Sequence, residues 1–116
     1  MDEIAAKAFL FAVGDYSRFS IMVALAKKEM CVNEIVEATG MKQSNVSHHM
    51  QCLLNCGFVT VKKEGQFRIY ELNTGVRQMV KFMIMHIEKY KDWIKSCEIA
   101  KKEYIMKVIE WRSLNM

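Results

Sequence analysis

Two adjacent histidines and two cysteines lie close together in the stretch GMKQSNVSHHMQCLLNCGFV, residues 40–59. Imidazole and thiolate groups bind soft metals, and paired with each other they form the nucleophile of cysteine enzymes. Successive residues of a helix point about 100° apart, so His48 and His49 do not readily face one ion. His48 and Cys52 share a helix face, but no orienting carboxylate or oxyanion-binding group accompanies them. We therefore predict no catalytic residue, no metal ligand and no cofactor here, and the chain is not expected to be an enzyme.

Size and composition predict a single intracellular domain. The chain has 116 residues, of which 52% are hydrophobic and 26% charged, values that suit one compact core. No apolar run approaches the roughly 18 residues that a membrane span needs. Asp2 and Glu3 precede the first apolar residues, whereas a secretory signal would begin with positive charge. We expect a cytoplasmic protein without a membrane partner, whose four cysteines are reduced.

Charge is distributed unevenly along the chain. The net charge is +4, and residues 41–70 contain four bases and one acid, whereas residues 1–40 contain four bases and six acids. A basic middle segment beside an acidic one is compatible with a polyanionic partner.

The apolar pattern predicts four helices before a change of period. They are expected at residues 3–13, from Asp15 or Ser17 onward, from Cys31 to Thr39-Gly40, and from about Gln43 to Asn55. The first presents Ile4, Ala8 and Phe11 on one face. Strand-forming residues then flank the polar sequence KKEGQ, residues 62–66, and predict a β-hairpin with a basic tip.

A heptad stripe of apolar residues runs through the last third of the chain, from Thr74 to about Trp111. Such a stripe should pack on another helix, within the chain or on a second copy. One helix, or two that meet near Ser96, would satisfy the pattern. Two series of residues, each spaced by seven, form the stripe: Val76, Met83, Tyr90, Cys97, Tyr104 and Trp111, with Val80, Ile87, Ile94, Lys101 and Val108.

Two short helices joined at a glycine and followed by a basic hairpin are typical of a winged helix-turn-helix. The second helix of such a pair fits the major groove of DNA, where its first turn meets the base edges. We expect His48 to face DNA and His49 to face the scaffold. The residues predicted to contact the groove are Gln43, Ser44, Asn45, Ser47 and His48. Those predicted to contact phosphates or the minor groove from the hairpin are Lys62, Lys63 and Arg68.

The segment from Glu29 to Leu72 resembles the core of the ArsR-type winged-helix transcriptional repressors. The residues QSNVSHH, 43–49, stand in the family's Q-S-x-V-S-H-H positions, and GFV and EG fall where the family has them. DYSR, residues 15–18, is similar to the D-P-T-R that opens the family's second helix, without its proline.

The resemblance implies a mainly α fold with a small β-hairpin, a winged helix-turn-helix with a long C-terminal dimerisation helix. It implies one domain over 1–116, with an N-terminal helix at 1–14, a DNA-binding core with its wing at 15–73, and a dimerisation region at 74–113. It also implies a homodimer that represses transcription from a palindromic operator in double-stranded DNA until an effector releases it. The implied dimer interface comprises Ile4, Ala8, Phe11, Val80, Met83, Ile87, Tyr90, Ile94 and Cys97.

Three positions depart from the family pattern. Lys42 stands where Ser or Thr usually caps the recognition helix, and it is expected to contact phosphate instead. Gln66 occupies a place at the wing tip where a basic residue is common. Metal sensors of the family carry C-V-C where this chain has Cys31-Val32-Asn33, so Cys31 lacks its local partner.

The cysteines and the last histidine leave several interpretations open. Cys56 is expected to be a small buried hydrophobe, and Cys52 to be half exposed and incidental. Cys97 either packs in the stripe or faces its copy in an intersubunit disulfide. His86 lacks the neighbours of the family's metal site in the last helix and is expected at a surface or interface. Cys31 and Cys97 are the candidates for thiol sensing, while constitutive DNA binding and an unrelated effector are the alternatives.

A second function competes with DNA binding. A winged helix can keep its fold and use the long C-terminal helix to bind another protein, without specific contact with DNA. A long heptad stripe favours this alternative more than a shorter stripe would.

Overall fold

The computed structural model describes residues 1–115, and at residues 104–107 and 111 the backbone alone. Within residues 1–115 six helices and one hairpin follow in the predicted order, so the expected fold class is confirmed. The elements are α1 (Glu3–Val13), α2 (Tyr16–Lys27), α3 (Val32–Thr39), α4 (Gln43–Asn55), β1 (Val59–Glu64), β2 (Phe67–Leu72), α5 (Thr74–Lys95) and α6 (Glu98–Asn115).

Capping residues and glycines set the boundaries of the central helices. The Asp15 carboxylate accepts a hydrogen bond of 3.0 Å from the backbone N–H of Arg18 and so caps α2. Gly40 ends α3 in the left-handed region, at φ 73°, where its N–H donates to the carbonyl of Val36. Asp15 therefore sets the start of α2, and Gly40 sets the start of the turn between α3 and α4.

The core lies where α2 meets α3, α4, the base of the hairpin and the first turns of α5. Val80 of α5 is completely inaccessible within this core. The prediction that it contributes to a dimer interface is therefore wrong, because its own chain already covers it. Other members of the core include Ile21, Leu25, Ile35, Val46, Leu53 and Phe58.

The hairpin is joined to the core at its base. Val59 pairs with Leu72, and both side chains are buried. Tyr70 exchanges two backbone hydrogen bonds with Met30, of 2.8 and 3.0 Å, which tie β2 to the segment before α3. The tip is solvated and turns at Gly65, with φ 62°. The wing is thus anchored at one end and projects at the other.

The C-terminal region consists of two helices rather than one. α5 ends at Lys95, and α6 begins at Glu98 after Ser96 and Cys97. The heptad stripe is therefore interrupted at Cys97, which lies between the helices. A further irregularity occurs at Tyr90, where φ −112° and ψ 19° are not helical.

Among residues 1–115 no single helix has the length and apolarity to cross a membrane. Glu3–Val13 and Tyr16–Lys27 reach that length and apolarity only when taken together, and they are bent by 76° relative to each other.

Candidate nucleic-acid interface

One face of α4 is turned into the core and the opposite face is solvated. Val46, Met50 and Leu53 are buried, so the residues on the other side of the helix point outward. Of the predicted groove-contacting residues, four are exposed and Asn45 is half-buried. The four exposed residues are Gln43, Ser44, Ser47 and His48.

The first turn of α4 favours negative charge. Lys42 is its N-cap, and no described side chain accepts a hydrogen bond from the free backbone N–H groups there. No acidic residue lies in this turn, so the positive end of the helix dipole is not neutralised locally. An exposed lysine beside unsatisfied N–H groups suits a phosphate oxygen.

Sequence reasoning missed Gln51, which extends the exposed face of α4. It lies three residues after His48 and four after Ser47, and it is exposed. Its amide donates to the side chain of Asn55 at 3.0 Å. The helical spacing from Ser44 and Ser47 could have identified it.

The paired histidines have different surroundings, as predicted. His48 is exposed, whereas His49 is half-buried. The Arg18 guanidinium lies 3.3 Å from Nδ1 of His49 through Nη1. Since arginine only donates, Nδ1 must accept and carry no proton. Burial lowers the pKa of His49, and the charge of Arg18 lowers it further against an opposing effect of Asp15.

Arg18 links α1 to the candidate recognition helix. Its side chain, 8% exposed, donates to the carbonyls of Ala12 at 2.8 Å and Phe11 at 3.0 Å. The partner of His49 in the scaffold is therefore this guanidinium. Although the sequence drew attention to DYSR, no local signal pairs its arginine with a residue 31 positions away.

The three basic residues of the wing fall into two groups. Lys63 lies directly opposite Arg68 in the register, so the two cations share one face of the hairpin. Both are exposed, and neither forms an ion pair with any described residue. Lys62 points to the other face, 3.0 Å from Glu29 and 3.5 Å from Glu64. The hydrogen bond with Glu29 raises the pKa of Lys62.

The last turn of α6 lies against the first turn of α4. Nδ2 of Asn45 donates to the carbonyl oxygen of Leu114 at 2.9 Å and to Oδ1 of Asn115 at 3.0 Å. This contact covers one flank of α4 and leaves its outward face open, since Ser44, Ser47 and His48 stay exposed.

The cysteines are all free thiols. Cys56 is exposed at the C-cap of α4, so the prediction of a buried position is wrong. It follows the last helical residue and lies beyond the buried face. Although the residue is exposed, some desolvation of its thiol raises the pKa of Cys56, and the neighbouring Cys52 raises it further. Cys52 and Cys31 are half-buried, and Cys97 is exposed. Within residues 1–115, no three His, Cys, Asp or Glu side chains are grouped so that they could hold a metal ion.

Apolar side chains of α1 and α5 are open to solvent. Ile4 is 83% exposed and Phe11 73%. Met83 and Ile87 line a shallow groove of about 240 Å³ against the turn between α1 and α2. His86 is exposed and lies between Phe82 and Tyr90, with ring centroids 6.3 and 4.9 Å away. The remaining predicted interface residues with exposed side chains are Ala8, Tyr90, Ile94 and Cys97.

A helix-turn-helix with an outward polar second helix, next to a hairpin with unpaired cations, defines the winged helix-turn-helix class. Residues 15–61 match the family described as "Bacterial regulatory protein, arsR family". The chain belongs to this family. It is accordingly a DNA-binding transcriptional regulator and not an enzyme.

Individual relatives agree with this assignment. The HTH-type transcriptional regulator NmtR of Mycobacterium tuberculosis is 36% identical over 80 residues, 68% of this chain and 67% of the relative. The transcriptional repressor SdpR of Bacillus subtilis is 30% identical over 79 residues, 67% of this chain and 88% of the relative. The structure of HlyU from Vibrio cholerae superposes with a TM-score of 0.64 at 29% identity, covering 72% of this chain and 94% of HlyU.

Proposed function

We propose that the protein is a homodimeric repressor that binds a palindromic operator through α4 and the wing. The observation that carries this proposal is the outward stripe of hydrogen-bonding side chains on α4, beside the unpaired cations Lys63 and Arg68. It is supported by the name of SdpR, a transcriptional repressor. A regulator of this kind acts where DNA is accessible, so we place it in the cytoplasm.

The two parts of the interface have separate tasks. In the proposed complex α4 enters the major groove, and Gln43, Ser44, Ser47 and His48 meet base edges. An amide such as that of Gln43 can pair with adenine through two hydrogen bonds, and a hydroxyl accepts or donates at either base of a pair. Lys42 and the free N–H groups of the first turn hold phosphate oxygens. The wing places Lys63 and Arg68 on the adjacent backbone, which fixes the register without selecting sequence.

Dimerisation supplies the second half-site. The exposed apolar residues of α1 and α5 need cover, and a second copy with the same face would provide it through a two-fold contact. Ile4, Phe11, Ile87 and Ile94 are the residues that this contact would bury. Two copies of α4 would then enter successive major grooves, about 34 Å apart on one side of the duplex.

An effector would act on this dimer from outside α4. Cys97 is exposed at the junction of α5 and α6, and Cys31 lies at the start of α3. We propose these thiols as the places where an oxidant or a soft metal would act. Operator affinity with and without oxidant, zinc or arsenite, compared between the natural chain and a cysteine-free variant, tests this role. Identical binding curves would refute it.

The central experiment compares operator DNA with scrambled DNA. Fluorescence anisotropy is measured on the duplex upstream of the protein's own gene and on a shuffled duplex, at several salt concentrations. We expect Ser44→Ala and His48→Ala each to weaken operator binding about tenfold, since a good base contact is worth roughly 1–3 kcal/mol. Binding to the shuffled duplex should hardly change.

A matched control separates a lost contact from a damaged fold. Gln78 is exposed on α5 and belongs to neither α4 nor the wing, so Gln78→Ala should bind like the natural chain. Light scattering should show a dimer for every variant. Equal affinity for operator and shuffled DNA at moderate salt would refute the proposal and favour the protein-interaction alternative.

A further inference from the structure

The side chain of Asn45, a predicted groove-contacting residue, already has hydrogen-bond partners within its own chain. Its Nδ2 lies 2.9 Å from the carbonyl oxygen of Leu114 and 3.0 Å from Oδ1 of Asn115. Asn115 is only 5% exposed, so this is a packed contact and not a passing surface encounter. The partners are 69 and 70 residues away from Asn45 along the chain.

The chemistry of the amide makes this contact incompatible with base recognition. A carboxamide nitrogen carries two protons, and here each has an acceptor in the last turn of α6. An asparagine that recognises adenine must donate one of those protons to N7 while its oxygen accepts from N6. Asn45 therefore cannot bind Leu114, Asn115 and an adenine at the same time.

The short link between α5 and α6 allows the last turn of α6 to move away from α4. α6 is joined to α5 through Ser96 and Cys97, and its last turn reaches α4 from a separate helix. Opening the contact leaves the core that supports α4 unchanged, since Val46, Met50 and Leu53 pack on residues outside α6.

We propose that the last turn of α6 is an intramolecular competitor of DNA that occupies Asn45, and that Asn45 recognises a base only when this turn is released. The inference rests on the proposed function and adds a regulatory state to it. The apparent Kd for the operator then equals the intrinsic Kd divided by the fraction of released protein. A net hydrogen bond changes an equilibrium about two- to tenfold, so we expect the two bonds together to weaken operator binding by about tenfold.

The test is a double-mutant cycle between Asn45 and the last turn of α6. One chain is shortened to end at Arg112, which removes only uncharged side chains and so keeps the side-chain charge that governs phosphate binding. Shortening should tighten operator binding about tenfold when Asn45 is present. In an Asn45→Ala background it should have no effect, because there is nothing left to release.

A variant of full length controls for general effects of truncation. Asn115→Ala removes one of the two acceptors and leaves the helix at full length, so it should tighten binding by a smaller factor. Far-UV circular dichroism and the melting temperature check that each variant is folded.

A second measurement observes the contact without DNA. In the full chain the side-chain amide protons of Asn45 should exchange slowly with water by NMR, and in the shortened chain quickly. Equally fast exchange in both chains would overturn the inference. So would equal operator affinity of the full and shortened chains, and in that case the proposed function would still stand. Loss of operator preference in both chains would refute the proposed function and this inference together.

Discussion

Neutralising Lys63 and Arg68 should flatten the salt dependence of DNA binding, because these two cations are the part of the wing that is free for phosphate. They face each other across the hairpin on one side, where like charges repel unless an anion lies between them or nearby. Neither has an acidic partner among the described residues. The perturbation is the double variant Lys63→Gln, Arg68→Gln, which keeps the hydrogen-bonding capacity and the length of the strands.

The expected magnitude follows from the number of cations. Each phosphate neutralised on B-DNA contributes a slope of about −0.9 to log K against log salt. With two such cations in each wing and two wings in a dimer, four phosphates are involved. The slope of the double variant should therefore be shallower by about 3.6. Between 50 and 200 mM salt the natural chain should lose about a hundredfold more affinity than the variant does.

Lys62 provides the matched control within the same hairpin. It differs from its neighbour Lys63 in facing the other side and in its ion pairs with Glu29 and Glu64. Lys62→Gln should leave the slope within about one unit of the natural value. The assay is anisotropy of a labelled operator duplex titrated at five or more salt concentrations. A Lys62→Gln slope as shallow as that of the double variant, or an unchanged slope in the double variant, would refute this reasoning.

The remaining predictions concern the stability of the fold around α4. Arg18→Met should lower the free energy of unfolding by about 2–4 kcal/mol, since it removes the side-chain donor from the buried carbonyl of Ala12 and the part-buried carbonyl of Phe11; a loss under 1 kcal/mol in urea titration would contradict this. Because the pKa of His49 is lowered in the folded chain, the unfolded chain binds this proton at a higher pH than the folded chain does. The contribution of His49 to the free energy of unfolding should therefore be fully present above pH 6.5 and should decrease as the pH falls below it. His49→Gln should remove that part of the decline in melting temperature, and the same pH profile in both chains would show that another group causes it. Gly40→Ala should cost about 1–2 kcal/mol because φ there is 73°. Gly75→Ala, in open space within α5, should be neutral or stabilising, and similar losses at both glycines would exclude the conformational cause.

The local sequence determined the elements and the orientation of the helix that we propose for the major groove. The first helix was expected at residues 3–13 and α4 from about Gln43 to Asn55, and both match the structure. Apolar spacing along α4 specified which side is buried, and Gly40 specified where the turn before it begins. These features depend on residues a few positions apart, which a single sequence displays directly.

Tertiary structure decided which of the exposed groups are free and which are occupied. The sequence contains the same number of cations in the wing whether or not Glu29 reaches Lys62. It likewise gave no sign that Asn45 meets the last turn of α6, or that Arg18 would hold His49. Val80 shared a spacing with exposed residues of α5, yet packing of its own chain covers it. The physical reason is the same in each case: periodicity is encoded locally, whereas the partner of a side chain is set by which distant segments the closed core brings within a few ångströms.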